Sequence, residues 1–327
     1  MTVVRTIVRW LAILGLAGLA GATLATFLAG FLWLFDLFSH FRLQYVVVAA
    51  VLTLMLAWTR PRWASVAALL LGVWHGYIFL SVPTAQADLL CKQQVRVMAF
   101  NLLYRNQDMD AAIAAIEAKR PDILVLEENT PNWSSHLERL ADDYPYAVPE
   151  NWRDANGPTV LSHFALSDPR IVRPFETPGL DNGDDRQRFA AGVRYLTVTA
   201  RIGEQDVAII AVHPPYPNGG FLTGLRNGYF VSVAELARAT DGPVIVAGDF
   251  NSTPWSPAFD PLFESGRLAG AGVPLMTWPT WFPLADIPID HVLVNDRIVV
   301  GGVEWGPDLG SDHYPIEATL CMPGGLS

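Results

Sequence analysis

The chain has 327 residues, of which 51% are hydrophobic and only 17% are charged, against about 25% charged residues in typical soluble proteins. This composition excludes a disordered chain and argues against an ordinary soluble protein, and the length allows one large domain or two small ones. The net charge of −10 is unevenly distributed, because residues 1–82 carry five basic residues and one acid while residues 83–327 carry 17 basic and 31 acidic residues. An acidic portion with a balance of −14 disfavours extensive binding of duplex DNA.

Residues 1–82 contain three apolar runs, at about 7–35, 43–59 and 64–82. A span needs about 20 apolar residues, so these runs predict three transmembrane helices, of which the second is short. A cleaved signal peptide does not explain the first run, because the run is too long and two more follow it. Basic residues lie before the first run and between the second and third, which predicts a cytoplasmic N-terminus. Three spans then place the remaining domain outside the cytoplasm, anchored in the cytoplasmic membrane and facing the periplasm or the exterior.

A short polar segment, residues 83–94, is expected to link this anchor to a domain at 95–323. The chain has two cysteines, Cys91 before the first expected strand and Cys321 near the end of the last. In an oxidising compartment, a disulfide between them would join the two ends of the domain. Two unpaired buried thiols are the alternative.

The domain alternates between apolar strand patterns and amphipathic helix patterns, which favours a layered α/β sandwich. The run DNGDDRQR at 181–188 predicts a solvated loop. Strands are expected at about 95–102, 122–126, 192–202, 207–212, 244–247, 289–294 and 316–320, and helices at 109–119 and near 229–239.

Polar side chains capable of chemistry occur at the ends of these apolar strands. Convergence of so many at one end of a sheet predicts a reactive site. Carboxylate and amide oxygens suit a hard cation such as Mg²⁺, whereas the absence of a thiolate cluster argues against structural zinc. An Asp–His pair adds an oriented imidazole for proton transfer or for stabilising charge on a phosphoryl oxygen. The residues are Asn101, Glu127, Glu128, His213, Asp249, Asn251, Asp290, His291, Asp312 and His313.

The runs MAFNLL, DILVLEE, AVHPPYP, GDFN, IDHVLV and GSDHYPI resemble, in order and spacing, the motifs of the endonuclease/exonuclease/phosphatase (DNase I-like) superfamily. The resemblance covers about residues 95–321 and implies a four-layered α/β sandwich of two packed mixed sheets flanked by helices. Three N-terminal spans and the segment TWPTWFPLADIPIDH are similar to a membrane-anchored bacterial subgroup that includes the VanJ-type phosphatases.

The resemblance also implies roles for individual residues in an in-line attack of water on phosphorus. A divalent metal, Mg²⁺ with Mn²⁺ as the alternative, would be held by Glu128 with Asn101 and Asp312. Asp249 would orient or deprotonate the water, and Asn251 would hold a phosphate oxygen. The imidazoles of His213 and His313 would face the phosphoryl group, with Asp290 orienting His313.

Two positions depart from the family pattern. Glu127 stands where a glutamine is frequent, and an extra carboxylate there can raise the pKa of a neighbour or alter metal preference. His163, in the run LSH, stands where the family often has Ser-Arg. We expect Glu127 to be a solvated or supporting carboxylate rather than a metal ligand, and His291 to be structural.

The sequence leaves the substrate open. A phosphorylated lipid or lipid-linked headgroup fits a membrane-tethered acidic domain, and the aromatic group Trp255, Trp278, Trp281 and Phe282 belongs either to the core or to a lipid-contacting surface. An anchored extracytoplasmic nuclease is the alternative enzyme. A catalytically inactive binding protein is the third reading, against which the intact set of motif residues argues.

Overall fold

The computed structural model describes residues 2–87, 94–148, 157–175 and 184–322, which form two compact units. The first unit comprises residues 1–82 and Thr253–Pro257, and the second comprises Pro83–Ser252 and Ala258–Ser327. Cys91 lies outside the described residues, so its disulfide with Cys321 stays a prediction.

The described part of the first unit contains four α-helices: α1 (Thr2–Phe27), α2 (Trp33–Asp36), α3 (Arg42–Thr59) and α4 (Arg62–Leu80). The helices α1, α3 and α4 are long and apolar enough to cross a membrane. They pack through a small core that includes Ala12, Leu16, Ala49 and Ala68. Close packing through small residues is typical of membrane helices. Lipid tails are as apolar as the helices, so the helices associate through van der Waals packing rather than through the hydrophobic effect.

The first predicted span, 7–35, is longer than the helix that forms there. Helix α1 ends at Phe27, and after a turn Leu32 adopts an extended backbone before the short α2 begins. A 26-residue helix already exceeds the ~30 Å hydrocarbon core at about 1.5 Å per residue, so the apolar residues after Phe27 are not needed to complete the span.

The described residues of the second unit form two six-stranded mixed sheets. The first sheet has the order β11-β12-β1-β2-β4-β3 and the second the order β5-β6-β7-β8-β10-β9. The strands are β1 (Gln94–Asn101), β2 (Ile123–Glu127), β3 (Tyr146–Val148), β4 (Thr159–Ser162), β5 (Leu166–Val172), β6 (Tyr195–Ile202), β7 (Gln205–Val212), β8 (Val244–Asp249), β9 (Leu268–Gly270), β10 (Asp290–Asn295), β11 (Val299–Trp305) and β12 (Ile316–Cys321).

Alternating side chains on the strands build the layers. On β1, Val97 and Ala99 enter a core shared with residues of the second sheet, whereas Met98 and Phe100 enter a separate core on the other face. Helices cover both outer faces, so the architecture is the expected four-layered α/β sandwich. The helices are α5 (Met109–Lys119), α6 (Pro131–Leu137), α7 (Asp185–Gly192), α8 (Gly220–Ala239) and α9 (Asp260–Glu264).

Three local expectations need correction. Part of the predicted loop at 181–188 is the helix α7, which begins with a capping box between Asp184 and Gln187, while residues 181–183 lie outside the described residues. Helix α8 begins at Gly220, nine residues before the predicted start, because its glycine-rich first half hides the helical pattern. In the expected linker, Thr84 and Ala87 form β-bridges to Gly270 and Val300, so these residues belong to the second unit.

Candidate active site

The site lies where the polar ends of both sheets meet. In the first sheet, β1 runs parallel to β2, with Asn101 opposite Glu127. In the second sheet, β7 runs parallel to β8, and Asp249 of β8 lies opposite Asp290 of the antiparallel β10. Parallel neighbours end at the same sheet edge, so the strand-end residues predicted from the sequence are brought together.

Asn101 connects the two sheets. Its Nδ2 donates hydrogen bonds to Glu128 Oε1 at 3.2 Å and to Asp249 Oδ2 at 3.1 Å. Glu128 has a left-handed backbone, with φ of 56°, and its Oε2 accepts a hydrogen bond from the backbone N–H of Tyr104. The turn after β2 therefore places the Glu128 carboxylate beside Asn101 and Tyr104 at the end of β1.

Asp249 forms the centre of the site. Its Oδ2 lies 3.6 Å from His213 Nε2 and 3.8 Å from His313 Nε2, and its Oδ1 accepts the backbone N–H of Asn251. Burial raises the pKa of the Asp249 carboxyl above its ordinary value; the two imidazoles oppose this shift and the Asp290 carboxylate adds to it. A carboxylate so placed can accept a proton from a nearby water.

His313 is paired with Asp290. The Nδ1 of His313 lies 2.9 Å from Asp290 Oδ2, and both side chains are buried. Burial alone would lower the pKa of His313, but the Asp290 and Asp249 carboxylates outweigh it and raise the pKa to about 10. The imidazole is therefore protonated at neutral pH, and its Nε2 faces Asp249 and Asp312.

The loop that carries Asp312 is fixed at the end of β1. Ser311 Oγ donates a hydrogen bond to the carbonyl oxygen of Asn101 at 2.7 Å. The indole Nε1 of Trp278 donates to Asp312 Oδ2 at 3.2 Å, and the backbone N–H of Thr280 donates to the Asp312 carbonyl oxygen. These contacts place Asp312 beside the strand end that carries Asn101.

Asn251 and His213 complete the set. Asn251 has a left-handed φ of 48°, and its Nδ2 donates to the carbonyl oxygen of Pro214, which follows His213 in the chain. The backbone N–H of His213 donates to the hydroxyl of Tyr229 on α8. Helix α8 thus holds the end of β7, while the side chain of His213 faces Asp249.

Glu127 is fully buried, so the expectation of a solvated carboxylate is wrong. Its position next to Asp249 and Asp290 agrees with the alternative, a carboxyl group that supports the site without binding the metal. Burial raises the pKa of its carboxyl well above the ordinary value, and the Asp290 and Asp249 carboxylates add to the effect. A Cβ at Gly248, where φ is 138°, would lie 2.6 Å from Glu127 Oε1 and 2.2 Å from the Val212 carbonyl oxygen. Position 248 of β8 therefore accommodates only glycine, because the Glu127 carboxyl packs directly against it.

The remaining histidines of the motif regions are structural in their contacts. The Nε2 of His291 lies 3.1 Å from the Ser252 carbonyl oxygen, and its ring packs between Phe250 and Phe259. His163 stacks on Tyr144 and lies 3.6 Å from Asp122.

The residues present fit a divalent cation. Four carboxylates, from Glu127, Glu128, Asp249 and Asp290, interact electrostatically at this site, and Asp290 Oδ1 is buried without a hydrogen-bond partner. Oxygen ligands of this kind suit a hard cation. Glu128, Asn101 and Asp312 are the residues that would hold it, although ligand atoms of Asp249, Asp290 and His313 also lie within 4.8 Å of one another. When bound, the cation would supply Lewis-acid stabilisation of phosphoryl oxygens.

Sequence reasoning missed several residues that shape the site. The sequence presents Trp278 only as a member of an aromatic group, gives no reason to single out Tyr229, and marks Ser311 only by its place in a motif. Ser311 directly precedes the Asp312–His313 pair and was detectable as part of that motif. Tyr229 and Trp278 act through contacts between segments distant in the chain, for which the sequence carries no local signal.

Solved structures with this fold come from enzymes of several kinds. The structure matches an endonuclease/exonuclease/phosphatase from Beutenbergia cavernae at 21% identity, with a TM-score of 0.55, over 72% of this chain and 73% of that chain. It matches sphingomyelinase C from Streptomyces griseocarneus at 19% identity, with a TM-score of 0.51, over 70% and 99% of the two chains.

A third match is D. rerio TDP2 complexed with a single-strand DNA product, at 13% identity, with a TM-score of 0.54, over 70% and 99% of the two chains. Identities this low show the fold alone. Comparison with curated protein sequences finds no match.

The sequence pattern of the Endonuclease/Exonuclease/phosphatase family matches residues 98–313, which is about two thirds of the chain and spans every motif residue described above. Members of this family are metal-dependent and hydrolyse phosphoester bonds. The buried Asp249, the Asp290–His313 pair and the carboxylates around them form a site suited to that chemistry. The chain therefore belongs to the endonuclease/exonuclease/phosphatase family.

Proposed function

We propose that this protein is a membrane-anchored phosphoesterase that acts outside the cytoplasm on a phosphorylated lipid or lipid-linked headgroup, with Mg²⁺ as its cofactor. The observation that carries the proposal is an exposed apolar loop hydrogen-bonded to the site. Trp281 and Leu284 are 74% and 81% exposed, and Phe282 stacks on Trp281. The same loop holds Asp312 through Trp278 and Thr280.

Apolar side chains beside a phosphate-binding site suit a substrate whose headgroup is a phosphate and whose tail is a hydrocarbon. Exposed groups of large apolar residues mark sites for proteins, membranes or ligands. Three helices long and apolar enough to cross a membrane would keep the protein beside lipid. The acidic charge of residues 83–327 disfavours a long polyanion, which supports a lipid over nucleic acid.

The orientation rests on the basic residues around the spans. The N-terminus and the turn between the second and third spans carry Arg5, Arg9, Arg60 and Arg62, which supports a cytoplasmic position for both. The loop between the first two spans would then lie outside the cytoplasm, in the periplasm or beyond the cytoplasmic membrane.

The chemistry follows from the residues at the site. Asp249 orients a water and accepts its proton as the water oxygen bonds to phosphorus and the P–O bond to the leaving group breaks. His313, protonated and oriented by Asp290, donates a hydrogen bond to the phosphoryl oxygen that gains negative charge. His213 faces the same region from β7, and Asn251 holds a further phosphate oxygen.

The test measures hydrolysis by the full chain in detergent micelles with Mg²⁺. Substrates are a polyprenyl diphosphate, supercoiled plasmid and the soluble ester bis(p-nitrophenyl) phosphate, with His313→Ala as the inactive control. We expect lipid turnover that His313→Ala abolishes. Nicking of plasmid without lipid turnover would make the protein an anchored nuclease, and hydrolysis of none of the substrates would favour a catalytically inactive binding protein.

A paired variant separates lipid recognition from catalysis. Replacing Trp281 and Leu284 together by serine should lower lipid turnover at least tenfold and leave turnover of the soluble ester unchanged. The matched control is Ile171→Ser, which changes an exposed apolar residue on the edge strand β5. Equal lipid turnover by the double variant and Ile171→Ser would contradict the proposed role of the loop.

A further inference from the structure

A buried asparagine that the mechanism does not use lies between two loops of the site. We call these the first loop, which follows β1 and begins at Leu102, and the second loop, which precedes β12 and carries Asp312. Asn106 of the first loop is buried, although its side chain is polar. A buried amide needs a hydrogen-bond partner for each of its polar atoms, so its partners show which parts of the chain it holds.

Both polar atoms of the Asn106 side chain have partners. Its Nδ2 donates hydrogen bonds to the carbonyl oxygens of Leu102 at 3.2 Å and Leu309 at 2.9 Å. Its Oδ1 accepts the backbone N–H of Asp108 at 2.8 Å. These partners fix the orientation of the amide, because an exchange of Nδ2 and Oδ1 would set an oxygen against two carbonyl oxygens. Asn106 therefore joins its own loop to a residue 203 positions further along the chain.

The second loop fits closely against this amide. Gly310 directly follows Leu309 and has a left-handed φ of 77°. A Cβ at this position would lie 2.7 Å from Asn106 Oδ1, which leaves no room for a side chain. Asp312 follows two residues later. The contact between Gly310 and Asn106 therefore determines where the chain enters the turn that carries Asp312.

The first loop is in turn fixed beside Glu128. The Asn106 N–H donates to the Leu103 carbonyl oxygen at 2.9 Å, and the indole Nε1 of Trp133 donates to the same oxygen at 3.1 Å. Leu103 has a left-handed φ of 58°, a conformation that persists in such a residue only when the surrounding structure holds it. The turn places the N–H of Tyr104 at 3.0 Å from Glu128 Oε2.

We propose that Asn106 is a positioning residue that sets the spacing between the Glu128 and Asp312 carboxylates. Glu128 follows β2 and is held by the first loop, whereas Asp312 belongs to the second loop. A Mg²⁺ ion demands a nearly ideal octahedral arrangement of its ligands, so two carboxylates that bind it together must be correctly spaced. The amide of Asn106 contacts both loops and fixes this spacing before the ion binds. The inference rests on the proposed function for the metal and its ligands, and it concerns affinity for Mg²⁺.

The test measures Mg²⁺ binding by calorimetry, with the full chain in micelles and without substrate. Asn106→Ala should weaken Mg²⁺ binding by about tenfold, because residues that orient metal ligands typically contribute at least this much to affinity. Binding that is as tight as in the wild type would overturn the proposal.

The matched control is Asn295→Ala. Asn295 makes the same kinds of contact: its Nδ2 donates to the Gly242 carbonyl oxygen at 2.8 Å, and its Oδ1 accepts the Val244 N–H at 3.2 Å. It lies at the ends of β8 and β10 that are far from the site. Asn295→Ala should therefore lower the melting temperature as Asn106→Ala does and leave the affinity for Mg²⁺ unchanged. An equal loss of affinity in both variants would overturn the proposal, because the loss would then reflect general destabilisation.

Asn106→Asp distinguishes positioning from charge. Aspartate keeps an acceptor for the Asp108 N–H but removes both donors, so the second loop should be released as in Asn106→Ala. The new carboxylate also adds negative charge near the cation, which by itself would strengthen binding. We expect weaker Mg²⁺ binding despite this charge, and binding equal to or tighter than that of the wild type would contradict the positioning role.

Turnover of bis(p-nitrophenyl) phosphate gives a second readout. Asn106→Ala should lose turnover at low Mg²⁺ and regain most of it at saturating Mg²⁺, with KM for the ester within about twofold of the wild type. His313→Ala should stay inactive at any Mg²⁺ concentration. A loss in Asn106→Ala that saturating Mg²⁺ does not restore would refute an effect through the metal.

The two readouts separate this inference from the proposed function. If the wild type hydrolyses no phosphoester, the proposed function fails, while weaker Mg²⁺ binding by Asn106→Ala would still support the positioning role. Unchanged Mg²⁺ binding by Asn106→Ala in an active protein would refute the positioning role alone. A wild type that binds no Mg²⁺ would overturn both.

Discussion

Replacement of Asp290 by asparagine should lower the pKa of His313 while preserving the shape of the site. The Asp290 carboxylate lies 2.9 Å from His313 Nδ1 and is a main cause of the raised pKa. Asparagine keeps an oxygen that can accept the Nδ1–H hydrogen bond but removes the negative charge. The expected result is an imidazole that loses its proton at a lower pH than in the wild type, with a loss of turnover that grows as the pH rises.

The size of the effect follows from the pKa. A shift of the His313 pKa from 6.5 to about 10 corresponds to at most roughly 5 kcal/mol favouring the protonated form, at about 1.36 kcal/mol per unit. Asp249 supplies part of this shift, so Asp290→Asn should lower the pKa by roughly 1–3 units, as expected for one close opposite charge. Because the folded pKa exceeds the unfolded value, this stabilisation is fully present below pH 6.5 and is lost as the pH rises through 10.

The measurement is an NMR titration of ¹⁵N-labelled histidine in the full chain in micelles, after removal of divalent metal with a chelator. The His313 signals are assigned by their loss in His313→Ala. Asp206→Asn, which removes an exposed partner of Arg201, is the control and should leave the titration unchanged. A wild-type His313 that titrates near 6.5, or an equal pKa in Asp290→Asn, would refute the electrostatic reasoning.

Three further predictions concern stability and metal binding. Burial lowers the pKa of His291 to about 4, so unfolding free energy should fall as the pH drops from 6.5 through 4, by up to about 3 kcal/mol, and His291→Gln should flatten this dependence in thermal melts. Gly248→Ala should lower the melting temperature sharply through its clash with the Val212 carbonyl oxygen, whereas Gly192→Ala, with open space around it, should not. Glu128→Gln should weaken Mg²⁺ binding at least tenfold in calorimetry, and unchanged affinity would exclude Glu128 as a ligand.

The positions of the strand-end residues can be read from the sequence because their signal is local. An apolar run that ends in a carboxylate, amide or imidazole identifies both the strand and the residue it delivers, as at Asn101, Glu128 and Asp249. The two-sheet architecture followed from the family resemblance, and the structure confirms it. Boundaries deviated where local and tertiary preferences differ, as in helix α8, whose packing outweighs its glycines.

Contacts between segments that are distant in the chain could not be predicted from the sequence. Nothing near Ser256 in the chain indicates that its hydroxyl meets Asp36, which lies 220 residues away. The pairing of Trp278 with Asp312 likewise depends on how a long loop folds back over the site. Such contacts arise from tertiary packing, which residue patterns of period 2 or 3.6 do not encode.

The left-handed backbone at Glu128 and Asn251 sets activity against stability at both positions. A residue with a side chain in this conformation raises the energy of the folded state by roughly 1 kcal/mol relative to glycine, with asparagine affected least. Selection for thermal tolerance alone would therefore favour glycine at both sites, which removes the side chains proposed to hold the metal and a phosphate oxygen. Random libraries of this chain ranked by melting temperature should be enriched in variants with glycine at positions 128 and 251. A screen for thermally stable variants must therefore measure turnover as well as melting temperature.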